Sequence, residues 1–153
     1  MFKYDRGAFI QNDSFEKLCE PVANLVEVLS VTNVFAFVDQ SVKPLVRELN
    51  ERINDDAMWA KLNYEILLKT RSADWEVRLA ALQVVEHMFE SMRERYLVIL
   101  NDTIPFLSEL LEDEHEQIEQ TAQSIVKQIE SLTGESINDY LKWSITFAFS
   151  PLK

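Results

Sequence analysis

Carboxylates are the commonest groups in this sequence that could perform chemistry, and one stretch concentrates them: Glu109, Glu112, Asp113, Glu114, Glu116 and Glu119. Such a cluster suits a metal site or an acid–base pair, and either use requires a pocket that fixes the groups in space. The sequence indicates no pocket here, and it has no Asp-x-Asp-x-Asp-Gly calcium loop. We therefore interpret these residues as helix caps and a solvated acidic face.

The histidines and the cysteine give little indication of catalysis. His87 and His115 are far apart, with no His-Glu-x-x-His motif or Cys/His cluster, which argues against zinc. Cys19 falls on the apolar side of its expected helix without a nearby base, so we interpret it as a small core residue. Because the chain has 2 Gly, a phosphate-cradling loop is not expected. The sequence predicts no enzyme, no cofactor, no metal and no small-molecule substrate.

The formal net charge of −11 restricts the class of partner. An acidic surface repels phosphate backbones and anionic lipids, which disfavours direct binding to nucleic acid or to a membrane. No apolar run reaches about 18 residues, so no membrane-spanning helix is predicted. A single cysteine excludes an internal disulfide and fits a reducing compartment.

Three basic residues are candidate interaction residues: Lys61, Lys69 and Arg71. They form a local positive patch for RNA or an acidic partner, or they bridge neighbouring helices through ion pairs. The spacing leaves both interpretations open for Lys69 and Arg71. For Arg78 we favour the bridge, because it occupies a repeat-equivalent position.

The segment 142–153 supplies three further candidates, the aromatic residues Trp143, Phe147 and Phe149. A helix that is apolar on more than one side buries both faces or binds a partner. We expect this tail to cap the preceding helix pair, because a solenoid end otherwise exposes its core. Docking on another chain is the alternative.

Helical periodicity dominates the chain and positions these residues. With 47% hydrophobic residues, 2 Gly and 4 Pro, the composition fits an all-α fold. Asp74 is predicted to cap one helix, Asp113 with Glu116 to form a capping box, and Gly134 to end a helix in the left-handed conformation. Pro105 falls inside an expected helix. About seven helices are expected, over residues 15–29, 35–53, 57–71, 75–92, 96–112, 115–132 and 137–149.

Two of these helix pairs repeat each other. Val77 matches Ile118, and Ala81 matches Ala122, in both cases 41 residues further on. A helix pair that recurs at roughly 40–47 residues is typical of HEAT and armadillo proteins. One pair cannot bury its apolar face alone, so successive pairs stack into a solenoid. The predicted fold is an all-α HEAT-repeat superhelix fragment.

Several strings resemble one family in particular. The most specific is Leu-Asn-Tyr-Glu-Ile-Leu-Leu-Lys-Thr-Arg at residues 62–71, followed by Val-Arg-Leu-Ala-Ala-Leu at 77–82 and Leu-Leu-Glu-Asp at 110–113. Over residues 58–141 the chain resembles the carboxyl-terminal region of the large HEAT-repeat protein associated with the U3 small nucleolar RNA in the eukaryotic small-subunit processome. The resemblance is weaker over residues 2–56.

The resemblance implies a non-enzymatic scaffold in the nucleus and nucleolus, engaged in ribosome biogenesis, pre-rRNA processing and RNA polymerase I transcription. Its partners would be other protein subunits of the processome, with the U3 snoRNA and pre-rRNA particle contacted indirectly. We expect a HEAT-repeat domain over residues 1–141 and a helical tail over 142–153. The alternatives are a HEAT adaptor of another system, such as transport or phosphatase scaffolding, an enzyme, and a direct RNA binder.

Overall fold

The computed structural model describes residues 38–52, 54–137 and 139, together with Lys17, Glu20, Pro21 and Asn24. Within these residues all regular secondary structure is helical. A π-helical turn at Val38–Val42 leads into the first helix, and a 3-10 segment at Arg93–Val98 separates the third helix from the fourth. The α-helices are α1 Lys43–Arg52, α2 Asp56–Lys69, α3 Trp75–Met92, α4 Leu100–Leu110 and α5 Glu116–Thr133.

The all-α fold is confirmed, but the count of about seven helices was wrong for the described residues, which hold five α-helices. The helices expected over 57–71, 75–92, 96–112 and 115–132 are present as α2 to α5. The second expected helix, 35–53, is α1 with its π-helical turn. The two helices expected over 15–29 and 137–149 lie outside the described residues except for six single positions, which are too few to define either helix.

Two departures from regular α-helix have local causes. Pro44 is the second residue of α1, and in a regular α-helix a proline ring clashes with the carbonyl four residues earlier. That carbonyl lies here in the π-helical turn Val38–Val42, whose wider spacing accommodates the ring. The fifth expected helix begins with the 3-10 segment instead of α-helix, because Arg93 ends α3 at a positive φ of 52°. Pro105 lies inside α4, as the sequence predicted.

The helices form two stacked pairs, α2 with α3 and α4 with α5. Short turns join the members of each pair, so the two helices run antiparallel. The first helices, α2 and α4, pack together in one layer, and the second helices, α3 and α5, pack in another. Helix α1 packs on α3, where the second helix of a preceding pair would lie. This arrangement is that of HEAT-type helical repeats.

Helix boundaries follow the repeat. The N-caps Asp74 and His115 are 41 residues apart, as are the helix ends Met92 and Thr133. The Asp74 Oδ1 atom accepts a hydrogen bond from the Glu76 N–H at 3.0 Å, which confirms the predicted cap. Gly134 ends α5 in the left-handed conformation with φ 73°, also as predicted.

The capping box predicted for Asp113 and Glu116 was wrong. Helix α5 begins after His115, whose side chain makes no capping bond. The Asp113 Oδ1 atom accepts the His115 N–H at 2.9 Å, and the same carboxylate accepts two bonds from Arg78. A charge-assisted pair with a guanidinium is stronger than a neutral cap, so the inter-repeat partner determines where this carboxylate points.

Small residues let the second helices approach closely. Ala80 and Ala81 of α3 and Ala122 of α5 have no solvent exposure. Helix α3 is apolar on most of its circumference, and eleven of its eighteen residues are buried. The four repeat-equivalent residues Val77, Ala81, Ile118 and Ala122 are all buried, and so are Leu67, Leu107, Leu110 and Ile125 of the same two pairs.

A buried polar cluster joins the two pairs inside the first layer. Asn63 of α2 donates from Nδ2 to the Thr103 Oγ1 of α4 at 2.9 Å. The Tyr96 hydroxyl donates to the Asn63 Oδ1 at 2.8 Å and lies 2.8 Å from the Thr103 hydroxyl. Burial raises the pKa of Tyr96, so its hydroxyl remains a neutral donor. A shift of α2 against α4 would leave these buried polar groups without hydrogen-bond partners, which would destabilise the folded chain. The cluster therefore fixes the register of the two helices.

Enlarging the repeat-equivalent alanines tests the stacking. We expect Ala81→Leu and Ala122→Leu each to lower the free energy of unfolding by about 1–3 kcal/mol, because extra methylenes strain a filled core. Ala57→Leu, at an exposed position in the first turn of α2, is the control and should change it by about 0.5 kcal/mol or less. Urea denaturation followed by circular dichroism gives all three values. Unchanged midpoints in both core variants would contradict the packing.

Candidate protein-interaction surfaces and the links between repeats

Arg78 fastens the two helix pairs together. Its Nε and Nη2 atoms donate to the two carboxylate oxygens of Asp113 at 3.0 and 3.1 Å. Its Nη1 atom donates to the Ser72 and Ala73 carbonyls at 3.1 and 3.2 Å, which braces the turn of its own pair. The side chains of Arg78 and Asp113 are only 12% and 10% exposed. The predicted bridging role of Arg78 is confirmed.

The same contacts set the ionisation of Asp113. Burial by itself would raise the pKa of this carboxyl, but hydrogen bonds from Arg78 and from the His115 N–H outweigh it and hold the pKa below its usual value. The carboxylate is therefore ionised over the whole neutral range, which preserves the bidentate pair.

Arg71 makes a second link between the pairs. It donates from Nε and Nη2 to the Glu109 carboxylate at 2.9 and 2.6 Å, and its guanidinium lies 4.1 Å from the centre of the Phe106 ring. Tyr64 meets the same ring edge-on, with centroids 6.2 Å apart. The hydrogen bond to Glu109 is the main reason why the pKa of Arg71 is raised. Arg71 and Glu109 are 49% and 52% exposed, so this pair contributes less stability than the Arg78 pair.

An aromatic stack completes the contact between the turns. The Trp75 ring lies on the His115 ring with centroids 4.0 Å apart and planes 12° apart. Both residues adjoin the N-terminus of a second helix. The turn of one pair is thus held to the turn of the next by two ion pairs and one stack, all on the side of the molecule where α3 and α5 begin.

The outer face of the first layer is partly apolar. Tyr64 and Leu68 of α2 are 46% and 37% exposed, and they lie on one helical face with Lys61 and next to Arg71. We call this face, Lys61, Tyr64, Leu68, Arg71 and Phe106, the α2–α4 surface. The Lys61 ammonium lies 3.6 Å from the Glu65 carboxylate, and Arg71 is paired with Glu109. Lys61 and Arg71 are therefore neutralised locally.

The other candidate residues are distributed over the molecule. Lys69 is partly buried at the end of α2. The His87 Nε2 atom lies 3.1 Å from the Lys43 carbonyl, and burial is the main reason why the pKa of His87 is lowered. Cys19 and the tail residues Trp143, Phe147 and Phe149 lie outside the described residues, so their roles stay predictions.

Within the described part of the chain, no three His, Cys, Asp or Glu side chains are grouped to hold a metal ion. There too, no helix is long and apolar enough to cross a membrane. Four of the six carboxylates in the 109–119 cluster instead bind groups of their own chain: Glu109 and Asp113 pair with arginines, and Glu116 and Glu119 accept hydrogen bonds from glutamines one turn later.

Sequence reasoning missed the Asn63–Tyr96–Thr103 cluster and the Trp75–His115 stack. Asn63 is a polar residue on the apolar side of α2, next to Leu62 and one turn before Leu67, and this position was the available signal for a buried partner. The stack had no such signal, because it depends on how two distant turns meet.

The stacked helix pairs, their 41-residue repeat and the ion pairs between turns define a helical-repeat protein of the HEAT class. No protein-family model matches the chain. Individual proteins do match it. The chain is 37% identical over 142 residues to HEAT repeat-containing protein 1 of Macaca fascicularis, and the alignment covers 92% of this chain and 15% of the relative. It is 37% identical over 144 residues to the homologue in Dictyostelium discoideum, covering 92% of this chain and 6% of the relative.

A third relative carries a different name. The U3 small nucleolar RNA-associated protein 10 of Phaeosphaeria nodorum is 29% identical over 142 residues, covering 92% of this chain and 8% of the relative. The chain belongs to this family of HEAT repeat-containing protein 1 and U3 small nucleolar RNA-associated protein 10. It spans 15% or less of the length of these three relatives.

The two inter-repeat ion pairs should differ in their contribution to stability. We expect Arg78→Ala to lower the free energy of unfolding by about 1.5–3 kcal/mol, because it leaves a shielded carboxylate without its partner. Arg71→Ala breaks an exposed pair and should cost about 1 kcal/mol or less. Equilibrium unfolding in urea measures both. Equal losses in the two variants would mean that the Arg78 pair is not the principal fastening.

The depressed pKa of Asp113 predicts a pH dependence. A carboxyl with a lower pKa in the folded chain adds stability above its unfolded pKa, and this stability is lost as the pH falls through the folded pKa. The difference in unfolding free energy between the parent and Asp113→Asn should therefore be constant above about pH 5 and shrink below about pH 4.

Unfolding curves at several pH values test this expectation, with Glu94→Gln as the control because Glu94 is an exposed carboxylate of the 3-10 segment. A difference for Asp113→Asn that stays constant down to about pH 3 would contradict the assigned role of the carboxylate.

Proposed function

We propose that this chain is a non-enzymatic scaffold segment of a ribosome-biogenesis factor, acting in the nucleolus. In this role it supports assembly of the small-subunit processome, processing of pre-rRNA and transcription by RNA polymerase I. The observation that carries the proposal is the homology over 92% of the chain to proteins whose names include U3 small nucleolar RNA-associated protein 10. Those names denote no enzymatic activity, and they favour this role over transport or phosphatase scaffolding.

The architecture supports a scaffold. Each helix pair makes its polar and ionic contacts with the next pair, through Arg78–Asp113, Arg71–Glu109 and the Asn63–Thr103 bond. A repeat protein of this kind transmits position along its length because each unit is fixed to its neighbour.

We assign the contact with other protein subunits to the α2–α4 surface. Tyr64 and Leu68 are the exposed large apolar residues of α2, and aromatic residues with partly apolar surroundings are enriched where proteins bind each other. Pairing of Lys61 with Glu65 and of Arg71 with Glu109 leaves few unpaired cations for phosphate. In a chain of net charge −11 this favours a protein partner over RNA, which is then reached through that partner.

Purification of the full-length protein tests this assignment. We expect the double variant Tyr64→Ala/Leu68→Ala to lose at least one co-purifying subunit of the particle by about fivefold or more, because anchor residues at an interface each contribute about 1–2 kcal/mol. The matched control is Val98→Ala, which removes a 64% exposed apolar side chain from the 3-10 segment. Quantitative mass spectrometry of the purified particles gives the readout.

Two further arms separate the parts of the proposal. Deletion of this chain from cells should reduce pre-rRNA processing, and normal processing with unchanged particle composition would refute the scaffold role. If the deletion disrupts the particle but the Tyr64/Leu68 variant does not, another surface makes the contact. Micromolar binding of the isolated chain to single-stranded RNA at about 150 mM salt would replace protein docking with direct RNA binding.

A further inference from the structure

A groove runs along the outer face of the second layer, between α3 and α5. It consists of two adjoining cavities of about 770 and 480 Å³ that share Gln120 and Ser124. One end lies at Leu79 and the other at Arg93. At a helical rise of about 1.5 Å per residue, these ends are about 20 Å apart, the length of about six residues of extended peptide.

The larger cavity is lined by two cations, Arg93 and Lys127, and by no carboxylate. Within the part of the chain that the structure describes, neither cation forms an ion pair. This contrasts with six other basic residues, which form ion pairs of 3.6 Å or less: Lys43, Arg52, Lys61, Arg71, Arg78 and Arg95. The groove therefore has a cationic end in a chain whose net charge is −11.

Arg93 occupies a backbone conformation that favours glycine. Its φ of 52° and ψ of −121° are rarely adopted by residues with a Cβ atom, and it is the one such non-glycine residue described. Its N–H donates to the Phe89 carbonyl and ends α3, a bond that glycine would make equally well. The Cβ atom of Arg93 thus makes this position less stable than glycine would, and the Arg93 side chain forms no ion pair in the described structure.

Three glutamines determine which kind of anion suits the groove. Gln120 and Gln123 donate from Nε2 to Glu116 and Glu119 at 2.9 Å, and Gln128 donates to Glu86 at 3.1 Å. Their carbonyl oxygens accept no hydrogen bond from the described residues. These oxygens match the N–H groups of a peptide backbone, whereas phosphate oxygens are themselves acceptors.

The groove also has one carboxylate, which lies midway between Leu79 and Arg93. Glu86 is half-buried there, where its carboxylate accepts hydrogen bonds from Ser124 and Gln128, and burial is the main reason why its pKa is raised. The segment 140–153 of this chain contains Lys142 and Lys153 and no Asp or Glu, so it lacks the charge that the cationic end requires.

From these contacts we infer that the α3–α5 groove binds an extended acidic peptide of a partner protein, with an acidic side chain between Arg93 and Lys127. The peptide backbone lies along the glutamines, and apolar side chains contact Phe89 and Leu132. This site is separate from the α2–α4 surface, because it lies on the other layer of the stacked pairs.

Fluorescence anisotropy of the 153-residue chain tests the inference, with a labelled Glu-Leu-Glu-Glu-Leu-Glu peptide at low salt as the probe. We expect saturable binding that weakens about three- to fivefold in Arg93→Gly and in Lys127→Gln, as loss of one exposed ion pair predicts. Arg93→Lys should bind like the parent. Arg47→Gln removes an exposed cation from α1, away from the groove, and should also bind like the parent.

The backbone argument has its own readout, because Arg93→Gly should raise the melting temperature while it weakens binding of the peptide. No saturable binding up to about 1 mM probe, or equal binding by the parent and both groove variants, would overturn the inference. So would oligo(U) of six nucleotides binding as tightly as the peptide, which would make the groove a nucleic-acid site. A self-associated chain that Arg93→Gly dissociates would overturn it in favour of a second copy.

Discussion

Burial of α3 on several sides is the constraint on which the described structure depends. This helix contacts α1, α2 and α5, and it is apolar around most of its circumference. A helix of that kind is unstable unless neighbours cover it, and no single partner helix can do so. Ala80 and Ala81 allow the close approach that brings three helices against it. The stacked architecture follows from this requirement, and the ion pairs between turns then set how each pair is oriented on the next.

Local sequence signals predicted most of this fold. The apolar stripe of Val77, Ala81 and their equivalents 41 residues later identified the repeat, because the periodicity of a packed face is a property of each helix alone. The signals for the helix cap at Asp74 and for the helix end at Gly134 were equally local. The role of Asp113 was not predicted by a local signal, because its carboxylate can accept from backbone N–H groups nearby or from Arg78, and only the stacking of the pairs brings Arg78 within reach. The positive φ of Arg93 likewise had no sequence signal, because glycine is the residue such a position suggests.

The two layers differ in charge distribution, and net charge conceals the difference. On the first layer, the opposite charges within the ion pairs Arg71–Glu109 and Lys61–Glu65 neutralise each other. These pairs lie beside the exposed side chains of Tyr64 and Leu68. On the second layer, Arg93 and Lys127 line the larger cavity of the groove together with amides and hydroxyls, and no carboxylate lines that cavity. Sequence reasoning allowed a local positive patch and placed its cationic candidates, Lys61, Lys69 and Arg71, on α2 and in the turn that follows it. Spatial separation of charges, which the composition does not contain, is what distinguishes the two faces.

The end of α5 shows how the chain begins to cover its own repeat. After the left-handed Gly134, the chain turns back, and the Ile137 N–H donates to the Glu130 Oε1 atom at 2.9 Å. Ile137 is buried in the core at 1% exposure, and Val126 and Leu132 of α5 are partly buried against the same core. A helix in the middle of a solenoid would present such residues to the next pair. Here Ile137 extends the core beyond the end of α5, and capping by the aromatic tail stays a prediction.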